Sequence, residues 1–182
     1  MSVNLKSLIG KLNDTTRGAL EGAAGLCLAR THYDIEVEHL LTKLLDASGS
    51  DAAKIFHQFS VDTSRLQKEL ERSLDKLKTG NARTPAISPS VLKMLTEAWT
   101  TGSLEYGATE IRSGHVLLAL LGNDELLRIV RDVSKELQKI QPELLRKDFA
   151  AIVEGTHEDT EAQVAATPSG DGADISCVDG AM

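Results

Sequence analysis

Apolar residues recur along this chain at helical spacing, and one eleven-residue pattern of apolar and polar positions occurs twice. Residues 35–45 read IEVEHLLTKLL, and residues 111–121 read IRSGHVLLALL. In both copies a His follows an Ile by four positions and precedes a run that ends in Leu-Leu. Internal duplication of this kind predicts a repeated structural unit, because one copy alone usually cannot bury its apolar face.

The duplication extends on both sides of this pattern. Upstream, Leu20 corresponds to Leu95 at an offset of 75 residues, and downstream Leu66 corresponds to Ile140 at an offset of 74. Connections between helices tolerate such small changes in length better than the helices themselves. No stretch alternates apolar and polar residues with the β-branched enrichment of a strand. The sequence therefore predicts an all-α fold made of two copies of one helical unit.

These patterns divide the chain into five segments. A stretch rich in turn formers separates the copies, and Ser88-Pro89 then supplies an N-cap and a proline at the first helical position. After Gly155 the chain lacks a periodic apolar face, as expected of a flexible linker or tail. The predicted segments are a leading helix at 1–12, repeat 1 at 12–78, a connection at 79–86, repeat 2 at 87–153 and a flexible acidic tail at 154–182.

The leading helix carries an apolar stripe of its own and has no counterpart before the second copy. Leu5, Leu8, Ile9 and Leu12 recur at the spacing of one helix face. The stripe could pack on the domain and complete its core. Alternatively, it could form one wall of a groove for an amphipathic partner helix.

The helix predicted after it contains Gly18, Gly22 and Gly25. A glycine inside a helix costs roughly 0.5 to 1 kcal/mol relative to alanine, so another contact should offset that cost. Close approach of a second helix is the expected reason. A helix of this same chain is the favoured neighbour, and a helix of a partner protein is the alternative.

The charge of the chain is concentrated in its predicted tail. The net charge is −7, but six acidic residues and no Lys or Arg follow residue 154, so the remainder carries only about −1. Such a near-neutral body offers no basic footprint for nucleic acid or an anionic membrane. Cys27 and Cys177 do not make a disulfide framework, and no apolar run has the length of a signal peptide or a membrane span. We expect a soluble protein in a reducing compartment.

The sequence contains few candidates for chemistry. It has neither a phosphate-binding glycine loop nor a zinc-binding H-E-x-x-H pair. His39 and His115 match by repeat, and we expect both to be structural residues that make the same internal hydrogen bond at a helix start. The five histidines and two cysteines lack the spacing of a ligand set. The sequence thus predicts no catalytic residue and no metal site.

Each of the tandem copies has a helix that ends in Leu-Leu, and in the first copy this helix opens on Glu-His-Leu-Leu. The tandem copies resemble the Clp N-terminal domain. This double Clp repeat stands at the front of Clp-type AAA+ unfoldases and disaggregases, and the resemblance covers about residues 12–153. Within the family, the stretches LKSLIGKLN (5–13), ALEGAA (19–24) and RTHY (30–33) are most similar to the ClpV group, the ATPases of bacterial type VI secretion.

The resemblance implies a pseudo-twofold bundle of about eight helices plus the leading helix. It implies that the domain docks a helix near the N-terminus of the large sheath subunit. The domain would do so for a hexameric ATPase that disassembles contracted sheaths in the bacterial cytoplasm. The domain itself would be a monomer without enzymatic activity or cofactor, because ATP and magnesium belong to ATPase modules that this chain lacks. The alternative is an N-domain of another Clp protein that receives adaptors or unfolded clients.

On this basis the partner helix would lie between the leading helix and the inter-repeat connection. Burial of three or four aliphatic side chains at roughly 1.5 to 3 kcal/mol each, less the cost of association, predicts affinity on the order of micromolar. We predict that a charge at Leu8 or Ile9 abolishes binding without loss of the fold. The predicted groove residues are Leu5, Leu8, Ile9, Leu12, Thr84, Ile87 and, less firmly implied, Leu92.

Overall fold

The computed structural model describes residues 4–166, with side chains described through Val164, and most of this part of the chain is helical. The prediction of an all-α fold is confirmed. Two two-residue strands, β1 (Asp34–Ile35) and β2 (Ala86–Ile87), interrupt the helices. The helices are α1 (Leu5–Gly10), α2 (Asp14–Ala29), α3 (Val37–Leu45), α4 (Asp51–Gln58), α5 (Thr63–Asp75), α6 (Pro89–Tyr106), α7 (Ser113–Gly122), α8 (Asp124–Val133), α9 (Pro142–Ile152) and α10 (His157–Ala166), with a 3₁₀ turn at Leu137–Lys139.

The two copies of the duplicated pattern form the central helices α3 and α7. Helix α3 packs against α2 and α5, and α7 packs against α6 and α8. Every residue of α7 from Ser113 to Leu121 is buried. One aliphatic core runs through both repeats, so the duplicated apolar faces cover each other as the repeat argument requires. Within the described part of the chain, no helix is long and apolar enough to cross a membrane.

Two equivalent backbone pairings join the repeats. Strands β1 and β2 pair in parallel with Ile35 opposite Ile87, and Leu12 forms a parallel bridge with Ile111. Ile35 of repeat 1 corresponds to Ile111 of repeat 2, and Leu12 corresponds to Ile87. The same pairing therefore occurs twice, each time with the two repeats in exchanged positions. This exchange is what a pseudo-twofold arrangement produces. Strands of two residues are too short to leave an alternating pattern in the sequence.

Side-chain caps define several helix starts. Asn13 accepts a hydrogen bond from the Thr16 amide at 2.9 Å at the start of α2, and Ser88 accepts from the Val91 amide at 3.2 Å at the start of α6. These caps satisfy amides that have no partner inside the helix. Pro89 occupies the first turn of α6, as the Ser-Pro pair predicted.

The predicted flexible tail is wrong over its first part. Residues 157–166 form α10, and Thr156 and Glu158 are buried. This helix is attached to the domain by buried polar groups, so it leaves no periodic apolar face in the sequence. The remainder of the predicted tail, residues 167–182, lies outside the described residues.

We expected another helix of this chain to pack closely against Gly18, Gly22 and Gly25 of α2. This expectation is wrong for Gly18 and Gly25. A methyl group added at Gly18 or Gly25 would meet no atom within 4 Å, and one added at Gly22 would meet only the flexible side chain of Lys43 at 3.0 Å. No helix of the described chain therefore approaches this face closely enough to account for Gly18 and Gly25.

Candidate functional site

Helix α1 has one buried face and one accessible face. Asn4 Oδ1 begins the helix by accepting hydrogen bonds from the amides of Lys6 at 3.0 Å and Ser7 at 3.3 Å. Leu8 and Leu12 are only 4% and 0% exposed and belong to the core. The prediction that they line a groove is therefore wrong, because Leu8 of α1 and Leu12, two residues after its end, complete the core. Leu5, at 36% exposure, and the half-buried Ile9 remain accessible.

Helix α1 lies against α6. The two helices are in contact, and the Lys11 ammonium lies 5.0 Å from the centre of the Trp99 ring, a distance suited to a cation–π interaction. Leu92 is half-buried on the first turns of α6. The structure thus places the leading helix beside the helix that carries Leu92.

The inter-repeat connection is held in place by hydrogen bonds to the loop that follows α2. The backbone N–H of Asn81 donates to Thr31 O at 2.9 Å, and its side-chain Nδ2 donates to His32 O at 3.0 Å. Thr84 is exposed and Ile87 is half-buried. The accessible residues of the predicted groove, called the α1 edge below, are Leu5, Ile9, Thr84, Ile87 and Leu92.

His39 makes two hydrogen bonds at the start of α3. Its Nδ1 accepts from the Glu36 amide at 2.9 Å, so the neutral ring carries its proton on Nε2 and donates to His32 Nδ1 at 2.8 Å. The ring is fully buried. Burial, followed by the charges of His32 and Arg30, lowers the pKa of His39 to about 4.

His115 has no hydrogen-bond partner at either ring nitrogen among the described residues. Its ring stacks on Phe149 and Tyr106, with centroid distances of 4.9 and 5.4 Å. Burial, followed by the charge of Arg112, lowers its pKa to about 4. The prediction that His39 and His115 make the same hydrogen bond is wrong.

A cavity of about 270 Å³ lies beside His115. It is bounded by the loop after α6, by α9 and by α10, and the rings of Tyr106, His115 and Phe149 line it. Nearby, Arg112 donates to both carboxylate oxygens of Asp51 at 2.8 Å, and Asp51 is fully buried. No group of three potential metal ligands occurs within residues 4–166.

Sequence reasoning missed the buried polar contacts of α10. Asp51 and Arg112 lie 61 positions apart, and Glu158 lies in the segment predicted to be flexible. Neither spacing nor apolar periodicity could have brought these residues together. Nothing in the sequence distinguishes Glu158 from the other acidic residues of the predicted tail.

Two tandem helical repeats that exchange equivalent backbone pairings define a double-repeat, all-helical domain. The chain belongs to the Clp repeat (R) N-terminal domain family, whose model matches residues 11–133. The family resemblance predicted from the sequence is confirmed.

Two curated relatives place the chain in the context of longer proteins. It is 34% identical to the chaperone protein ClpB of Yersinia enterocolitica over 172 residues, which cover 94% of this chain and 19% of the relative. It is 30% identical to the AAA+ ATPase ClpV1 of Pseudomonas aeruginosa over 152 residues, which cover 84% of this chain and 17% of the relative. The chain thus spans about a fifth of the length of these relatives.

Solved structures share the fold. One is described as a complex of a ClpV N-domain with a VipB peptide; it superposes with a TM-score of 0.74 at 30% identity and covers 87% of this chain and 96% of that chain. Another comes from work on the coevolution of the ATPase ClpV, the TssB-TssC sheath and the accessory HsiE protein; its TM-score is 0.82 at 29% identity, with 86% and 97% covered.

Proposed function

We propose that this domain recognises the substrate of a ClpV-like AAA+ ATPase by binding a helix near the N-terminus of the large type VI secretion sheath subunit. Docking of that helix would bring contracted sheaths to the ATPase for disassembly. The observation that carries the proposal is the similar ClpV N-domain in complex with a VipB peptide, which matches nearly the whole described fold.

The α1 edge is the surface that we propose for this helix. Leu5, Ile9, Ile87 and Leu92 combine aliphatic side chains with partial exposure, and the core fixes the far side of α1 through Leu8. An amphipathic helix recognises a partner by laying an apolar stripe against side chains of this kind. Because these residues are already partly buried, binding gains only part of their full transfer energy, so the affinity should be no tighter than the micromolar range.

The open face of α2 supports recognition of a helix in a second way. Gly18 and Gly25 have free space beside them, so a partner backbone could approach closely there. No contact within the described chain offsets their cost of roughly 0.5 to 1 kcal/mol each. An external helix would provide that contact.

The proposal assigns no catalysis to this chain. ATP and magnesium would bind to ATPase modules outside it, and the domain would hold no cofactor. The longer protein would be a homohexamer of the bacterial cytoplasm, while the isolated domain would be a monomer that binds neither nucleic acid nor membrane. A hexamer that engages a polymeric sheath with several domains gains avidity from weak individual contacts.

A matched pair of substitutions tests the α1 edge. Ile9→Asp places a charge on the accessible side of α1, and Leu144→Asp places one on an exposed leucine of α9 as a control. We expect Ile9→Asp to weaken binding of a labelled peptide of the sheath helix at least tenfold in fluorescence anisotropy. Leu144→Asp should bind as the wild type does, and both variants should melt within a few degrees of it.

The structure changes the expectation for Leu8. Because Leu8 is buried, Leu8→Asp should unfold the domain, and its loss of binding would carry no information about the site. If Ile9→Asp and Leu5→Asp both bind the peptide normally while the wild type also binds, the partner helix lies elsewhere.

A second candidate function rests on the ClpB relative, which is 34% identical to this chain. In that case the domain would receive unfolded clients or adaptors for a disaggregase. A permanently unfolded protein, such as reduced and alkylated lactalbumin, distinguishes the two functions. Equal or tighter binding of this protein than of the sheath peptide would favour the ClpB-like role.

A further inference from the structure

Glu158, in the first turn of α10, is a completely buried acidic residue. Its Oε1 accepts hydrogen bonds from Asn13 Nδ2 at 2.9 Å and from the Ser113 amide at 2.7 Å. Its Oε2 accepts from the Asp51 amide at 2.7 Å and from the Ser113 hydroxyl. Asp51 and Ser113 are the first residues of α4 and α7, so one carboxylate caps two helices that belong to different repeats.

The residues around Glu158 attach the start of α10 at further points. Thr156 Oγ1 donates to Asp51 Oδ1 at 2.7 Å, and the His157 amide donates to Gly49 O at 3.0 Å. Arg112 makes its bidentate pair with Asp51 and lies 3.6 Å from Asp159. The guanidinium of Arg112 thus compensates the acidic groups that this attachment buries.

Asn13 connects the same carboxylate to the leading helix. It lies between α1 and α2, where its Oδ1 caps α2 through the Thr16 amide at 2.9 Å. Its backbone amide donates to Ile111 O at 3.1 Å, next to the bridge between Leu12 and Ile111. The Asn13 side chain therefore holds the α1–α2 junction with its oxygen and Glu158 with its nitrogen.

We propose that Glu158 is a latch that fixes α10 to the domain and couples the docking of α10 to the order of the α1–α2 junction. The latch joins the last helix of the described chain to the first. If the α1 edge binds a partner helix, as proposed above, the latch connects α10 to the junction that follows α1. The coupling of α10 to the junction is a property of the free domain and does not require that partner.

The latch can be tested by amide hydrogen exchange on the free domain, followed by NMR. Glu158→Gln keeps the size of the side chain, but its amide nitrogen must face the backbone amide of either Asp51 or Ser113, because both oxygens of Glu158 accept from a backbone N–H. We expect exchange to rise at least tenfold at residues 157–164, at Asp51 and Ser113, and at residues 12–16. Glu161→Gln, at an exposed position of the same helix, should change none of these.

Asn13→Ser separates the coupling from the capping. Serine is also a good N-cap but is too short to reach Glu158, so α2 keeps its cap while the link to α10 is lost. We expect exchange at residues 157–164 to rise several-fold in this variant, because coupling between two sites acts in both directions. This milder variant also decides the matter if Glu158→Gln does not fold.

Three results would overturn the inference. If the amide exchange rates of Glu158→Gln equal those of Glu161→Gln, the carboxylate does not hold α10. If Glu158→Gln speeds exchange in α10 but leaves it unchanged at residues 12–16, α10 and the α1–α2 junction are independent. Unchanged exchange in α10 of Asn13→Ser would show the same. None of these results depends on whether the sheath peptide binds.

Discussion

His39 of the first repeat and His115 of the second occupy the same position of the duplicated pattern but have different neighbours. His39 bonds to the Glu36 amide and to His32, whereas His115 is stacked between Tyr106 and Phe149 without a hydrogen-bond partner among the described residues. The position corresponding to His32 is Ala108, because the Ala108 amide bonds to Gly102 O as the His32 amide bonds to Cys27 O. The second repeat therefore offers no second imidazole at this position.

One residue that differs between the repeats contributes to this difference. The repeat offset carries Cys27 onto Gly102. A methyl group at Gly102 would lie 2.7 Å from His115 Nδ1, so the position of this ring requires a glycine. Cys27 carries a side chain at the equivalent position, and its sulfur lies 3.2 Å from Asp34 O. The comparison teaches that a duplicated residue keeps its place in the core, while residues outside the duplicated pattern decide its hydrogen bonds.

Acidification should produce the largest effect, because it acts on both histidines at once. Each has an ordinary pKa of 6.5 and a pKa of about 4 in the fold. Between these values the unfolded chain binds more protons than the native one, so the free energy of unfolding falls as the pH drops from 6.5 to 4. Each histidine contributes about 1.4 kcal/mol per pH unit in this window. Urea unfolding at several pH values measures the slope.

His39→Phe should be the most damaging of the matched single substitutions. It leaves the Glu36 amide and His32 Nδ1 without their partner, at a cost of about 1 to 3 kcal/mol for each buried group. We expect the free energy of unfolding to fall by about 3 kcal/mol in urea denaturation. A loss below about 1 kcal/mol would show that these hydrogen bonds contribute little.

Gly102→Cys gives the second repeat the residue found in the first. The new side chain would overlap His115, and overpacking of this kind costs about 1 to 3 kcal/mol, less the gain from replacing a helical glycine. We expect a net loss of about 2 kcal/mol in the same denaturation assay. If stability is unchanged, His115 can take another position, and the residue at 102 does not determine it.

His115→Phe should have the smallest effect. The substitution retains an aromatic ring between Tyr106 and Phe149 and removes two nitrogens that have no partner in the described structure. We expect a change in stability within about 1 kcal/mol at neutral pH. The acid slope should also become shallower, because the contribution of His115 is gone. A loss equal to that of His39→Phe would contradict the comparison between the repeats.

Much of the fold followed from the sequence, because the buried helices α3 and α7 carry a duplicated apolar pattern. The Ser88-Pro89 helix start and the separate leading helix were also predictable from local chemistry. The attachment of α10 was not, since it depends on Glu158 and on partners more than 40 positions away in the chain. The predicted groove lost Leu8 and Leu12, because the stripe of the leading helix did not reveal which leucines face the core.

The most direct test of the account is an NMR titration of the ¹⁵N-labelled domain with the peptide of the sheath helix. The proposed function predicts that shifts of amide signals concentrate in α1, in residues 84–92 and on the open face of α2, with saturation on the order of micromolar peptide. Shifts confined to α7, α8 and α9, or no shifts at saturating peptide, would contradict it.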